Sequence, residues 1–87
     1  MRTKQRKNGA VARRDINSKL YLEFGRLIKD ERLRQNLTQD DLAALMHVSR
    51  TTITMLERGK QGCSLHMAYM LAGALKCDIG EILPAEN

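Results

Sequence analysis

Apolar residues recur at helical spacing along most of this chain, and polar interruptions divide it into five short helices. Leu20, Phe24, Leu27, Ile28 and Leu33 follow an approximate helical period, predicting a first helix capped by Ser18 and ending near Gln35. Asn36 stands where the chain must turn, and asparagine tolerates the left-handed conformation that ends helices. Thr38 is a good N-cap for a second helix, with Asp40 and Asp41 in the first turn where the helix dipole favours negative charge. Asp41 occupies the position where glutamate would complete a capping box, so only a partial box is expected. Leu42, Ala43, Leu45 and Met46 form the apolar face, and His47-Val48 makes a tight turn. Ser49 caps a third helix reaching about Arg58, with Ile53 and Leu56 inward, and Gly59 ends it. Ser64 caps a fourth helix over residues 65–75, whose inward face takes Leu65, Ala68, Leu71, Ala72 and Leu75. Asp78 caps a short fifth helix that Pro84 stops.

Residues 1–16 break this pattern. They are polar and basic, with Ala10, Val11, Ala12 and Ile16 as the apolar positions after Met1, and read as a flexible arm preceding a domain over 17–87. The arm holds Arg2, Lys4, Arg6, Lys7, Arg13 and Arg14 and, up to Arg14, no acid. The net charge of +5 therefore resides in the arm, and the remainder is close to neutral. If the folded part meets a polyanion, its positive charge must be concentrated on one face. The arm either tracks a nucleic-acid backbone or enters its minor groove, or it serves as a solubilising disordered tail.

With 87 residues there is one small domain, and a chain of this size buries roughly 60% of its unfolded surface, so dimerisation would be a natural supplement. Cys63 and Cys77 form no CxxC pair and read as free thiols in a reducing compartment. Cys63 and His66 have the spacing of half a metal site, but His47 and Cys77 are the only further His or Cys residues, and no metal or cofactor is expected. No apolar run approaches a membrane span, and the N-terminus lacks a signal-peptide core, which suggests a cytoplasmic, nucleoid-associated protein without membrane contact. No Gly-rich phosphate loop, carboxylate pair in a cleft or Ser-His-Asp set is present, so an enzyme is not expected.

Two short helices joined by a tight turn, over residues 38–58, form the helix-turn-helix pattern. Ala43 is small where the two helices must cross closely. Val48 follows the turn and plugs the gap between them, and Ile53 anchors the second helix. Position 47 calls for a positive φ, which His adopts more readily than most residues.

On these residues, the segment LTQDDLAALMHVSRTTITMLERGK resembles the lambda-repressor-like (Cro/cI, XRE) helix-turn-helix family, and residues 24–83 resemble its five-helix, all-α domain throughout. His47 replaces a Gly, Cys63 a common Pro, Glu31 an aliphatic and Lys76 a Gly. The resemblance implies a transcriptional regulator of double-stranded DNA that binds a palindromic operator as a homodimer. Gln39 matches the glutamine that clamps a DNA phosphate; without the resemblance it reads as a solvated residue at a helix start. Arg50, Thr51, Thr54 and Met55 are the candidate base contacts on the outward face of the recognition helix, Arg50 at the end where side chains reach base edges. Ser49, Thr52, Arg58, Lys60 and Gln61 are candidate phosphate contacts. Arg32 and Glu57 match an ion pair that locks the first helix to the third.

Helix four is apolar on nearly every side, more than so small a fold can bury internally. Met67, Met70 and Ala74 point away from its inward face, and Leu33 and Leu45 fall where related domains carry polar residues. This surplus is expected to form a dimer surface, unless the methionines fill an irregular core. Domains of this kind occur as phage repressors, restriction-modification controllers and antitoxins. The rival function is therefore an antitoxin or adaptor that mainly binds a protein partner, such as a toxin or polymerase.

Overall fold

In the computed structural model the backbone is described for residues 2–85 and side chains for residues 18–85. The described residues form four α-helices and one 3₁₀ turn, without strands: α1 (Arg2–Arg34), α2 (Gln39–Met46), α3 (Arg50–Glu57), α4 (Leu65–Ala74) and the turn Ile79–Glu81. The expected fifth α-helix is thus a single 3₁₀ turn. It is closed by the Glu81 and Ile82 N–H groups donating to the Asp78 and Ile79 carbonyls at 2.9 and 3.1 Å. Gly80 and the nearby Pro84 leave too few residues for an α-helical turn to propagate.

A second departure lies at the N-terminus. The first helix starts at Arg2, so Ser18 is an interior helix position and not its cap. Ala10, Ala12, Arg13, Arg14, Lys19 and Leu20 are strong helix formers, and they outweigh Gly9, at about 1 kcal/mol, and the weaker Asn8, Asp15 and Asn17, so the segment read as a flexible arm continues the helix. The proposed contacts of the basic arm fall on side chains outside the described residues.

The core is one cluster. Phe24 and Ile28 of α1 meet Leu42, Ala43 and Met46 of α2, Ile53 and Leu56 of α3, and Ala68, Leu71 and Ala72 of α4, closed by Leu75 and Ile82. Leu20 and, at 70% exposure, Leu65 stand out in solvent although the apolar pattern turns them inward, and Leu33 and Leu45, assigned to a partner surface, are exposed as well. On α2 the inner arc is filled by Leu42, Ala43 and Met46, which turns Leu45 to the rim. Leu65, the first residue after its cap, lines an open apolar groove with Leu20, Tyr21, Phe24 and Leu83.

Two glycines set how closely α1 crosses α3. A Cβ on Gly25 would overlap the Leu56 and Glu57 carbonyl oxygens, and one on Gly59 would lie 2.8 Å from Leu22 Cα. Gly59 also has a φ of +70°, matching its role just past α3. The Lys60 N–H reaches back to the Met55 carbonyl at 2.9 Å, as in a Schellman ending. Asn36, His47 and Lys76 adopt left-handed φ of 60°, 58° and 54° at the ends of α1, α2 and α4.

The cap of α2 is fuller than expected. Thr38 Oγ1 accepts the Asp41 N–H at 2.9 Å, and Asp41 Oδ2 accepts the Thr38 N–H at 2.9 Å, a complete capping box. The shorter aspartate suffices because Thr38 is extended, at φ −82° and ψ 168°. The Thr38 backbone N–H, and then its hydroxyl, hold the Asp41 carboxyl below the usual carboxylate range. A depressed folded-state pKa stabilises the protein above the unfolded value, near pH 4, and that contribution disappears as pH falls through the lowered one. Thermal melts of Asp41→Asn against wild type will therefore diverge at neutral pH and converge towards pH 2. Thr38→Ala, which removes the hydroxyl acceptor, will destabilise the domain by about 1 kcal/mol in urea titration.

Candidate nucleic-acid interface

The turn of His47, Val48 and Ser49 sets α3 across α2. Ser49 is extended and its Oγ accepts the Thr52 N–H at 3.2 Å, so α3 begins at Arg50 with its first residues free of the core. Ile53 and Leu56 fill the inner face completely. Arg50 and Thr51 stand in solvent, whereas Thr52, Thr54 and Met55 are half-buried. Ser49 and Thr52 also pair their hydroxyls at 3.1 Å. Arg58, Lys60 and Gln61 are exposed after the end of α3.

Beneath this face runs a polar network joining three helices. Arg32 of α1 donates through Nε and Nη2 to Glu57 of α3, at 2.6 and 3.1 Å. Both side chains are sequestered, at 8% and 3% exposure. The third arm of the guanidinium, Nη1, donates to the Leu37 carbonyl at 2.8 Å and pins the turn preceding the Thr38 cap. Glu57 Oε1 also accepts Gln39 Nε2 at 3.1 Å. Gln39 Oε1 in turn accepts Thr54 Oγ1 at 3.1 Å and Arg50 Nε at 3.4 Å. No buried side-chain nitrogen or oxygen among the described residues lacks a partner. Such an arrangement resists sliding, because any displacement of α3 leaves a buried charge or amide unsatisfied.

Sequence reasoning had placed Gln39, Thr54, Glu57 and Arg50 in separate roles; their joining through one amide was not foreseen. The available signal was that Thr54 and Glu57, three apart on α3, share one helix face. Asp40, whose carboxylate lies 4.0 Å from Arg50 Nε, was likewise not singled out as a site residue. Both side chains are largely exposed, so this pair contributes little and leaves the guanidinium free to move to another anion.

The residues expected at a dimer surface divide. Met67 and Ala74 are half-buried against this chain's own core, while Met70 is exposed, as are Tyr69 and Leu65 on the same helix. Cys63 and Cys77 are free and half-buried, and burial pushes both thiols above their usual range, away from the reactive thiolate. Among the described residues no group of three His, Cys, Asp or Glu side chains is placed to hold a metal ion, and no helix is long and apolar enough to cross a membrane.

Comparison with known proteins agrees with this geometry. A helix-turn-helix family model matches residues 28–82. The competence pilus inhibition repressor of Acinetobacter baylyi is 40% identical over 67 residues, which are 76% of this chain and 61% of that protein. The chain thus spans about three-fifths of that relative's length. The restriction-modification controller protein C.AhdI of Aeromonas hydrophila superposes with a TM-score of 0.70 at 30% identity, over 72% of this chain and 96% of the controller. Hydroxypropylphosphonic acid epoxidase of S. wedmorenis matches with a TM-score of 0.73 at 26% identity, over 77% of this chain but only 36% of the enzyme. Further relatives carry the description of HTH-type transcriptional regulators.

Proposed function

Since the chain belongs to the XRE-type helix-turn-helix family of DNA-binding transcriptional regulators, we propose that it reads a palindromic operator in double-stranded DNA as a homodimer. The observation that carries this reading is the pairing of Arg50 with Gln39. The exposed arginine at the start of α3 and the amide at the start of α2 lie within hydrogen-bonding reach, at 3.4 Å. One helix N-terminus thereby offers a cation for a guanine edge, while the other offers an amide and backbone N–H groups for a phosphate. Arg50 and Thr51 reach bases, with Thr54 and Met55 behind them. Ser49, Thr52, Arg58, Lys60 and Gln61 meet the flanking phosphates. The basic residues of 1–16 strengthen binding through counterion release, so affinity falls steeply with salt.

The likeness to a repressor and to a restriction-modification controller supports transcriptional control, most simply repression, in the cytoplasm. The match to the epoxidase covers a minor part of that enzyme, so no catalytic role follows from it. The exposed apolar residues Leu65, Tyr69 and Met70 of α4 are the surface on which two copies would pair.

Selection from a random DNA pool at physiological salt tests the proposal. The expected product is a palindrome with half-sites about one helical turn apart. Arg50→Ala should lose preference at one base pair in each half-site, at a cost of about 1–3 kcal/mol. An unenriched pool, or an Arg50→Ala protein that selects the same motif, would refute it. In the first case a protein partner becomes the leading reading.

A further inference from the structure

We propose that Glu57 is a positioning residue for DNA reading: its buried carboxylate dictates which way the Gln39 amide faces, and through that amide sets the pose of Thr54 and Arg50. This rests on the operator-reading function proposed above, and adds to it a determinant that never touches DNA.

The argument follows from donors and acceptors. A carboxylate only accepts, so Gln39 must present its nitrogen to Glu57 Oε1, as it does at 3.1 Å. The amide oxygen is then directed towards α3, where Thr54 Oγ1 donates to it at 3.1 Å and Arg50 Nε at 3.4 Å. Arginine only donates, so Arg50 has a partner in Gln39 only while the oxygen faces it. The second N–H of the Gln39 amide remains for a phosphate. Glu57 is itself immobile, because Arg32 grips both its oxygens and is tied by Nη1 to the Leu37 carbonyl. Fixity thus passes from a sequestered ion pair to a half-buried amide, and from there to an exposed arginine.

Glu57→Gln separates positioning from bulk. The new side chain has the same shape but one acceptor and one donor. Arg32 Nε, at 2.6 Å the shortest contact of the network, retains the oxygen. The new NH₂ then replaces the oxygen that accepted from both Arg32 Nη2 and Gln39 Nε2: the Nη2 bond is lost, and the Gln39 amide must turn over to accept from the NH₂. Arg50, which can only donate, would lose its acceptor and meet a donor instead, while the Thr54 hydroxyl would rotate to accept from the turned amide.

Two readouts test this. In NMR spectra of the free wild-type protein, the Gln39 side-chain amide protons should show stronger NOEs to the Glu57 side chain than to the Thr54 side chain. In Glu57→Gln that preference should reverse. In random-pool selection, folded Glu57→Gln should lose about tenfold of its discrimination at the base pair read by Arg50, beyond any uniform loss of affinity from the relocated Gln39 N–H. Gln39→Met, which leaves the ion pair intact, should show a loss at the same base pair together with weaker phosphate binding, since it removes the amide itself; if Glu57→Gln does not fold, the wild-type NOEs decide the role of Glu57. The proposal is overturned if the wild-type NOEs run to Thr54, or if folded Glu57→Gln or Gln39→Met discriminates as wild type does. If wild type itself enriches no motif, the operator reading falls, and the NOE pattern alone decides whether Glu57 orients the amide.

Discussion

Replacing Arg32 with alanine will destabilise the domain by about 3–5 kcal/mol, as expected when one partner of a buried ion pair is removed and the other stays behind. The truncation deletes both bonds to Glu57 and the one to the Leu37 carbonyl. Glu57, at 3% exposure, would be left buried with only the Gln39 amide to answer it. Small domains have about 5–15 kcal/mol in all, so urea titration should find the variant near the edge of folding at 25 °C. Replacing the pair together, as Arg32→Met with Glu57→Leu, should recover much of the loss, because both desolvation costs vanish with the charges. A double variant no more stable than Arg32→Ala would mean that the pair's geometry, and not its unmatched charge, governs stability.

Gly25→Ala comes next in expected effect. The added methyl group would meet the Leu56 and Glu57 carbonyls, and the Glu57 carbonyl oxygen lies only 2.6 Å from the ideal Cβ position. Both oxygens belong to the last turn of α3, so no flexible side chain can yield; the whole helix must move. Overpacking of this kind costs about 1–3 kcal/mol, often enough to outweigh the gain in helix propensity of alanine over glycine. Because the displaced turn carries Glu57, operator affinity should fall further than loss of folded protein explains. Gly73→Ala, where nothing lies within 4 Å of the added carbon, is the matched control and should be neutral or stabilising. A Gly25→Ala melt equal to wild type would show that α1 and α3 can part at no cost.

The two variants act on one design. Glycines let α1 approach the end of α3, and the ion pair then fixes the angle at which they cross. The recognition helix is held from behind at both places, which leaves its exposed face free of structural duty. Thr51 and Arg50, both poor at filling a core, can therefore occupy that face without loss of stability.

Much of this was legible along the chain. Ser49 and Ser64 cap α3 and α4 where the pattern placed them, and His47 adopts the left-handed conformation that the turn required. Ile53, Leu56, Leu42 and Ala43 form the core. Caps, turns and periodic apolar positions depend on residues within one or two turns of each other, and local sequence determines them by itself. The helix-turn-helix could be recognised for the same reason: its steric demands at Ala43, Val48 and Ile53 lie within a single short stretch. Tertiary structure alone decided the rest. Leu45 and Leu65 turned outward because other side chains took the inner arc. The contact at Gly25 joins residues 31 and 32 positions apart, the Arg32–Glu57 pair residues 25 apart, and the shared amide of Gln39 residues 11 to 18 apart in the chain. No periodicity records the distance between two helices. That distance is set only when the core packs, and it is what turns Arg32, Gln39, Glu57 and Arg50 into one connected site.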